Sequence, residues 1–153
     1  MIKRFEEFTK NVAIASKCIS KIKAYEMKKF GLRSGNLMCL FFLGQNPDGL
    51  TPSILSSKCG EDKAGISRSL AKLCEKGYVV VDKSEHKYRA KFKITESGKA
   101  ICEELNGIIT SVVDSIGKDL TVTERATFYY TFDYITSNLQ NFCMGIEDEN
   151  EDE

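Results

Sequence analysis

Two helix starts and two helix stops fall between Thr51 and Gly77, and this stretch constrains the chain more than any other. Thr51-Pro-Ser-Ile-Leu-Ser-Ser-Lys-Cys-Gly60 supplies a hydroxyl cap, a Pro at the first helical position, about two turns of helix and a Gly stop. Asp62 is then placed to accept backbone N–H groups at the head of a second helix. There Ile66, Leu70, Leu73 and Cys74 recur at i, i+4, i+7 and i+8 as one buried stripe, and Gly77 ends the run. Two short helices joined by a tight Gly-containing turn predict a helix-turn-helix, a unit whose second helix can enter a DNA major groove.

The stripe leaves Lys63, Ala64, Gly65, Ser67, Arg68 and Lys72 facing outward, the first five on the N-terminal turns that reach base edges in such units. A Gly within a helix costs roughly 1 kcal/mol against Ala. Close approach of another molecule to the backbone is one reason to keep Gly65 there, a solvated face with an incidental Gly being the plain alternative. After Gly77, Tyr78-Val-Val-Val-Asp82 reads as a strand. Ala90-Lys-Phe-Lys-Ile-Thr95 alternates polar with apolar residues, as a half-buried strand does. Between them Lys83-Ser-Glu-His-Lys-Tyr-Arg89 is a polar, cationic loop suited to phosphates or a minor groove, so the hairpin forms a wing.

Taken together, the Gly49-Leu-Thr strand, the short helix, the Asp62-Lys-x-x-Ile-Ser-Arg-x-Leu70 helix, the Glu75-Lys-Gly-Tyr-Val79 strand, the basic wing and Ile94-Thr-Glu-Ser-Gly98 resemble the MarR (multiple antibiotic resistance regulator) family. The resemblance spans most of the chain and implies a winged helix-turn-helix regulator that dimerises through its terminal helices. It also implies a crevice between those helices and the winged core, lined here by Phe30, Met38, Phe42 and Ile108, side chains suited to a flat aromatic effector. The wing departs from the family pattern. Where relatives carry Asp-x-Arg and then paired arginines, this chain has Glu85-His-Lys-Tyr-Arg89, with Lys87 and Tyr88 in the place of the pair.

A formal net charge of zero argues at first against a nucleic-acid partner. The acidic end, Glu147-Asp-Glu-Asn-Glu-Asp-Glu153, accounts for this: residues 1–146 hold 22 basic residues against 16 acidic, and residues 50–99 hold 11 against 6. The excess cations therefore cluster where the motif expects DNA. The six cysteines show no Cys-x-x-Cys or zinc-ribbon spacing, and with a single His neither a metal site nor a cofactor is expected. Cys39, Cys59, Cys74 and Cys102 lie in or beside apolar stripes and read as small hydrophobes in a reducing cell. Cys18, between Lys17 and Lys21 on the first helix, is the redox candidate, and Cys143 lies near the last helix. No apolar run is long enough for a membrane span and no signal-peptide core is present, so no membrane partner and a cytoplasmic location are expected.

Phe5, Phe8, Val12, Ala15, Ile19 and Ile22 predict a long amphipathic helix over about residues 2–30, stopped by Gly31. Ser34 is expected to cap a central apolar helix containing Leu37, Met38, Leu40, Phe41 and Phe42. Beyond the wing, Thr95 caps a helix carrying Ile101, Leu105, Ile108, Ile109, Val112, Val113 and Ile116. Gly117 breaks it. A capping box, Thr121 with Glu124, then opens a last helix with Phe128, Phe132, Ile135, Leu139 and Phe142 on one side. A winged core of this size cannot cover three such stripes, so they are expected to meet in a two-fold homodimer that sets two recognition helices on a two-fold symmetric operator in double-stranded DNA.

The expected fold class is mainly α with a small β wing. It comprises one domain over residues 1–146 (core about 34–95, dimerisation helices about 2–30 and 96–144) and an acidic disordered tail over 147–153. The expected function is a sequence-specific DNA-binding transcriptional regulator, a repressor released by a small aromatic ligand or an oxidant. In that reading Lys63, Ala64, Gly65, Ser67 and Arg68 approach base edges, while Thr51, Ser53, Ser57, Lys72, Lys83, Lys87, Arg89 and Lys91 hold phosphates or enter the minor groove. The rival is a winged-helix module that binds protein and not DNA, which has no need of the local cation excess. An enzyme is not expected, because the chain lacks a nucleophile elbow, a phosphate-binding Gly loop and a metal-ligand cluster, and its single His86 falls on the wing.

Overall fold

Helix-forming periodicities dominate the sequence, and the computed structural model, which describes residues 2–82 and 90–151 with side chains as far as residue 146, is correspondingly mostly helical. The elements run α1 (Ile2–Lys28), α2 (Asn36–Gly44), α3 (Pro52–Cys59), α4 (Lys63–Glu75), β1 (Val79–Asp82), β2 (Lys91–Ile94), α5 (Glu96–Ile116) and α6 (Val122–Glu151). The expected class, mainly helical with a small two-stranded wing, is what is found. The two strands pair antiparallel with Val79 opposite Ile94 and Asp82 opposite Lys91. The expected strand at Gly49–Thr51 is reduced to a single bridge between Leu50 and Phe92.

The chain divides into two compact units, residues 1–108 and 109–153. In the first unit Met27, Leu32, Leu37, Cys39, Leu40, Leu43, Leu50, Leu55, Ile66, Leu70, Leu73, Val79, Ile101 and Leu105 form one buried cluster. It is drawn from the end of α1, from α2, from both helices of the motif, from the strand that follows and from the start of α5. Burying each large aliphatic side chain there is worth roughly 1.5–3 kcal/mol. Two features hold α2 to α4 within this packing. The Asn36 amide accepts the Arg33 N–H at 2.8 Å and donates to the Ser69 carbonyl at 3.3 Å, and the Ser69 hydroxyl donates to the Gly35 carbonyl at 3.3 Å.

Three helix ends follow the expected chemistry and one does not. Gly31, at φ +65°, ends α1, and the Leu32 N–H donates back to the Met27 carbonyl. At the capping box the Thr121 N–H donates to Glu124 at 2.8 Å and the Glu124 N–H to the Thr121 hydroxyl at 3.2 Å, holding the Glu124 carboxyl below its ordinary pKa. Thr95 caps α5 through the Gly98 N–H at 3.2 Å. Ser34, however, is not the cap of α2: Gly35 occupies that position without a side-chain bond, and Ser34 contributes its main-chain carbonyl to Leu37. The side chain that caps this turn is Asn36, which folds back onto the Arg33 N–H.

Gly98 sits where α5 crosses the turn after α4. A Cβ built there would lie 2.2 Å from the Tyr78 carbonyl oxygen, a distance no side chain tolerates. Around it the Thr95 N–H donates to the same carbonyl at 3.0 Å, and the Thr95 and Ser97 hydroxyls both donate to the Gly77 carbonyl, at 2.8 and 3.1 Å. In the second unit α6 runs to Glu151, into the stretch read as an acidic tail. Among the described residues no helix is long and apolar enough to cross a membrane.

Candidate nucleic-acid interface

The interface is built from the bottom by caps. The Thr51 hydroxyl accepts the Ile54 N–H at 3.4 Å, Pro52 takes the first helical position, and Gly60 ends α3 at φ +63°, a left-handed conformation other residues adopt at a cost. The Ser56 hydroxyl donates across the turn to the Glu61 carbonyl at 2.6 Å. Asp62 then caps α4 by accepting the Gly65 N–H at 2.5 Å. Leu55 on one helix and Ile66, Ser69, Leu70 and Leu73 on the other are buried, which fixes the rotation of α4 about its axis.

That rotation exposes the residues assigned to base contact. Lys63, Ala64, Ser67 and Arg68 are exposed, and Gly65 is half-buried. Among those assigned to phosphate, Ser53 and Ser57 are exposed and Thr51 and Lys72 half-buried. Lys72 already has a partner, its ammonium lying 2.8 and 3.0 Å from the two Glu75 oxygens and holding that carboxyl below its usual pKa. The pair is solvated, so a phosphate can compete for the lysine. Gly65 acquires a second explanation: a Cβ there would lie 3.1 Å from both the capping Asp62 oxygen and a Glu61 oxygen. The close approach that glycine permits is at least in part to the chain's own cap.

On the wing, Lys91 lies on β2 opposite Asp82, and its neighbour Lys93 pairs with the Asp82 carboxylate at 2.8 Å. Lys83, Lys87 and Arg89, with His86, lie outside the described residues. Arg33 was missed by the sequence reading. It borders a groove of about 560 Å³ between the head of α2 and the face of α4, together with Glu61, Gly65, Arg68, Lys72 and Glu75. Three cations thus flank one depression beside the outward face of α4. Arg33 stands in a connection with no periodicity to single it out, and the Asn36 and Ser69 ties between α2 and α4 bring it there.

The expected effector residues are placed less tightly. Phe30, Met38 and Phe42 are half-buried and pack on the core cluster, which among the described residues Ile108 does not join. The Phe42 ring lies 5.5 Å beneath the Lys58 ammonium and edge-on to Phe41. Cys18 is exposed on α1, as is Cys143 on α6, whereas Cys39 is buried and Cys59, Cys74 and Cys102 are half-buried. Burial pushes the Cys39 thiol up to about 12 and the Cys102 thiol up to about 11.

Residues 30–90, which include α2, the two helices of the motif and β1, match the sequence profile of the MarR family. The chain is 25% identical over 146 residues to the HTH-type transcriptional regulator TcaR of Staphylococcus aureus, covering 92% of each protein. Among solved structures it is similar to a MarR protein of Peptoclostridium difficile, with a TM-score of 0.80, 20% identity and 88% of both chains covered. It is also similar to MepR of S. aureus in a complex with DNA, with a TM-score of 0.77, 16% identity, and 86% of this chain and 96% of that one covered.

Proposed function

For this chain, a MarR-family winged-helix transcriptional regulator, we propose a specific mode of action: repression by a homodimer that reads a two-fold operator and is released by a small aromatic ligand or an oxidant. The observation that carries the proposal is the outward face of α4, where Lys63, Ser67 and Arg68 stand exposed on a helix whose opposite side is locked into the core. Ser67 and Arg68 supply the hydrogen bonds that discriminate bases; Thr51, Ser53, Ser57, Lys72, Lys91 and the wing residues Lys83, Lys87 and Arg89 set the register on phosphates. The DNA-bound MepR structure supports DNA as the partner.

The homodimer rests on uncovered apolar surface. On α1 Phe5 and Ile19 are 64% and 51% exposed, and on α6 Phe128 and Phe142 are 56% and 71% exposed, in a single chain. A second copy that buries these stripes also places a second α4 for the other half-site. Phe30, Met38, Phe42 and Ile108 are proposed to line the effector site and Cys18 to be a thiol that responds to oxidant. Either signal acts by favouring the dimer that does not fit DNA, with ~1.4 kcal/mol of preference for each tenfold loss of occupancy.

The test is an electrophoretic shift assay with the DNA upstream of the protein's own coding sequence, with and without hydroperoxide or a salicylate-like aromatic acid. Retardation of that fragment ahead of random DNA of equal length, reversed by one of the two compounds, is the expected result. Equal binding of both DNAs would remove specificity from the reading. Release by peroxide from wild type and Cys18→Ser alike would remove Cys18 from it.

A further inference from the structure

The buried thiol of Cys39, on α2, and the half-buried thiol of Cys59, the last residue of α3, have their sulfur atoms 3.9 Å apart. From this juxtaposition we infer that Cys39 and Cys59 are a disulfide-forming modification site, oxidised by hydroperoxides, whose closure staples the first helix of the DNA-reading motif to the core and weakens the hold on DNA. A bond requires the sulfurs to reach about 2.05 Å, so each must travel roughly 0.9 Å. That distance can be shared between side-chain rotation and a small shift of α3.

The order of events follows from exposure. Cys59 is the thiol a solvent-borne oxidant reaches. Its sulfur, on losing its proton to water, attacks one peroxide oxygen; the O–O bond breaks, an alcohol leaves with a proton, and Cys59 becomes a sulfenic acid. The Cys39 sulfur then attacks the Cys59 sulfur, the S–O bond breaks, and the hydroxide that departs takes the Cys39 proton as water. Two thiols and one hydroperoxide give one disulfide, one alcohol and one water. Burial raises the pKa of both thiols; for Cys59 the contact with Cys39 works against this rise, Glu61 adds to it and Lys23 opposes it, so the pair oxidises slowly near neutrality and faster as pH rises.

The place of the bond gives it leverage. Cys59 is followed at once by the left-handed Gly60, by Glu61, which Ser56 holds across the turn, and by Asp62, the cap of α4. Pulling the end of α3 toward α2 therefore acts on the turn that aims α4. The consequence for DNA rests on the function proposed above, whereas the bond itself does not.

The experiment treats the full-length protein with cumene hydroperoxide, blocks remaining thiols with N-ethylmaleimide after unfolding, and maps peptides without reductant. Affinity for the upstream DNA is measured on the same samples. The expected result is a cross-linked peptide pair holding Cys39 and Cys59, lighter by two hydrogens and absent in Cys59→Ser and in Cys39→Ala. It should be accompanied by a tenfold or greater loss of DNA affinity that dithiothreitol restores. Two variants are used because either alone could perturb packing, and both are first checked for an unchanged circular dichroism spectrum. Full labelling of both cysteines after peroxide, or pairing confined to Cys18 and Cys143, would overturn the site. A cross-link with unaltered affinity would overturn its effect on DNA. A reduced protein that binds no DNA would count against the proposed function alone, because the peptide map decides the bond independently.

Discussion

Arg68 and Asn36 line the same groove yet do opposite work. Arg68 is exposed on the face of α4 proposed to read DNA, so Arg68→Ala should leave folding intact and cost on the order of 1–3 kcal/mol on the cognate operator, with little effect on random DNA, as measured by fluorescence anisotropy. Equal losses on both would make it a phosphate contact. Asn36 is buried, and its amide serves the Arg33 N–H and the Ser69 carbonyl. Asn36→Leu strands both groups and should lower stability by about 1–3 kcal/mol in urea unfolding. Cys39 gives a pH signature. Its folded-state pKa is raised from 9.0 to about 12, so the neutral thiol stabilises the fold fully below pH 9, and that contribution is lost as pH rises through the interval. The stability difference between wild type and Cys39→Ala should accordingly narrow above pH 9; a constant difference would show that the buried thiol is not titrating as described.

At the level of elements, legibility tracked how local the chemistry was. The caps of α3 and α4, the capping box of α6 and the Gly stops depend on residues within one turn of each other, and they could be read directly. The head of α2 could not, because Ser34 was as good a cap by type as any, and the choice of Asn36 depends on Ser69 thirty-three positions away. Arg33 was illegible for the same reason, and the Leu50–Phe92 bridge was over-read as a strand because a Gly-Leu-Thr run carries no measure of its own length. One consequence concerns Asp62. Asp62→Ala frees the Gly65 N–H at the head of the reading helix and should cost roughly 0.5–2 kcal/mol of stability. Because the first turn of α4 holds Lys63, Ala64 and Gly65, affinity for the cognate site should fall with it, while Asp62→Asn or Asp62→Ser should restore both in thermal melts and anisotropy.

For the molecule as a whole, the most informative residues are those a single chain leaves uncovered. A carboxylate at Phe132 or Leu139, which are 41% and 46% exposed in one copy, would be buried without a partner if α6 lies in a dimer interface. Phe132→Glu and Leu139→Glu should therefore sediment as monomers or unfold, and a stable dimer from either would move the interface elsewhere. The junction at Gly98 speaks to heredity instead of assembly. Any missense change in its codon adds at least a Cβ, and the Tyr78 carbonyl oxygen leaves no room for one. In a saturation library scored by a reporter gene, position 98 should behave as though every amino-acid change were a stop codon. An alanine allele that keeps full reporter control would show that the backbone there yields.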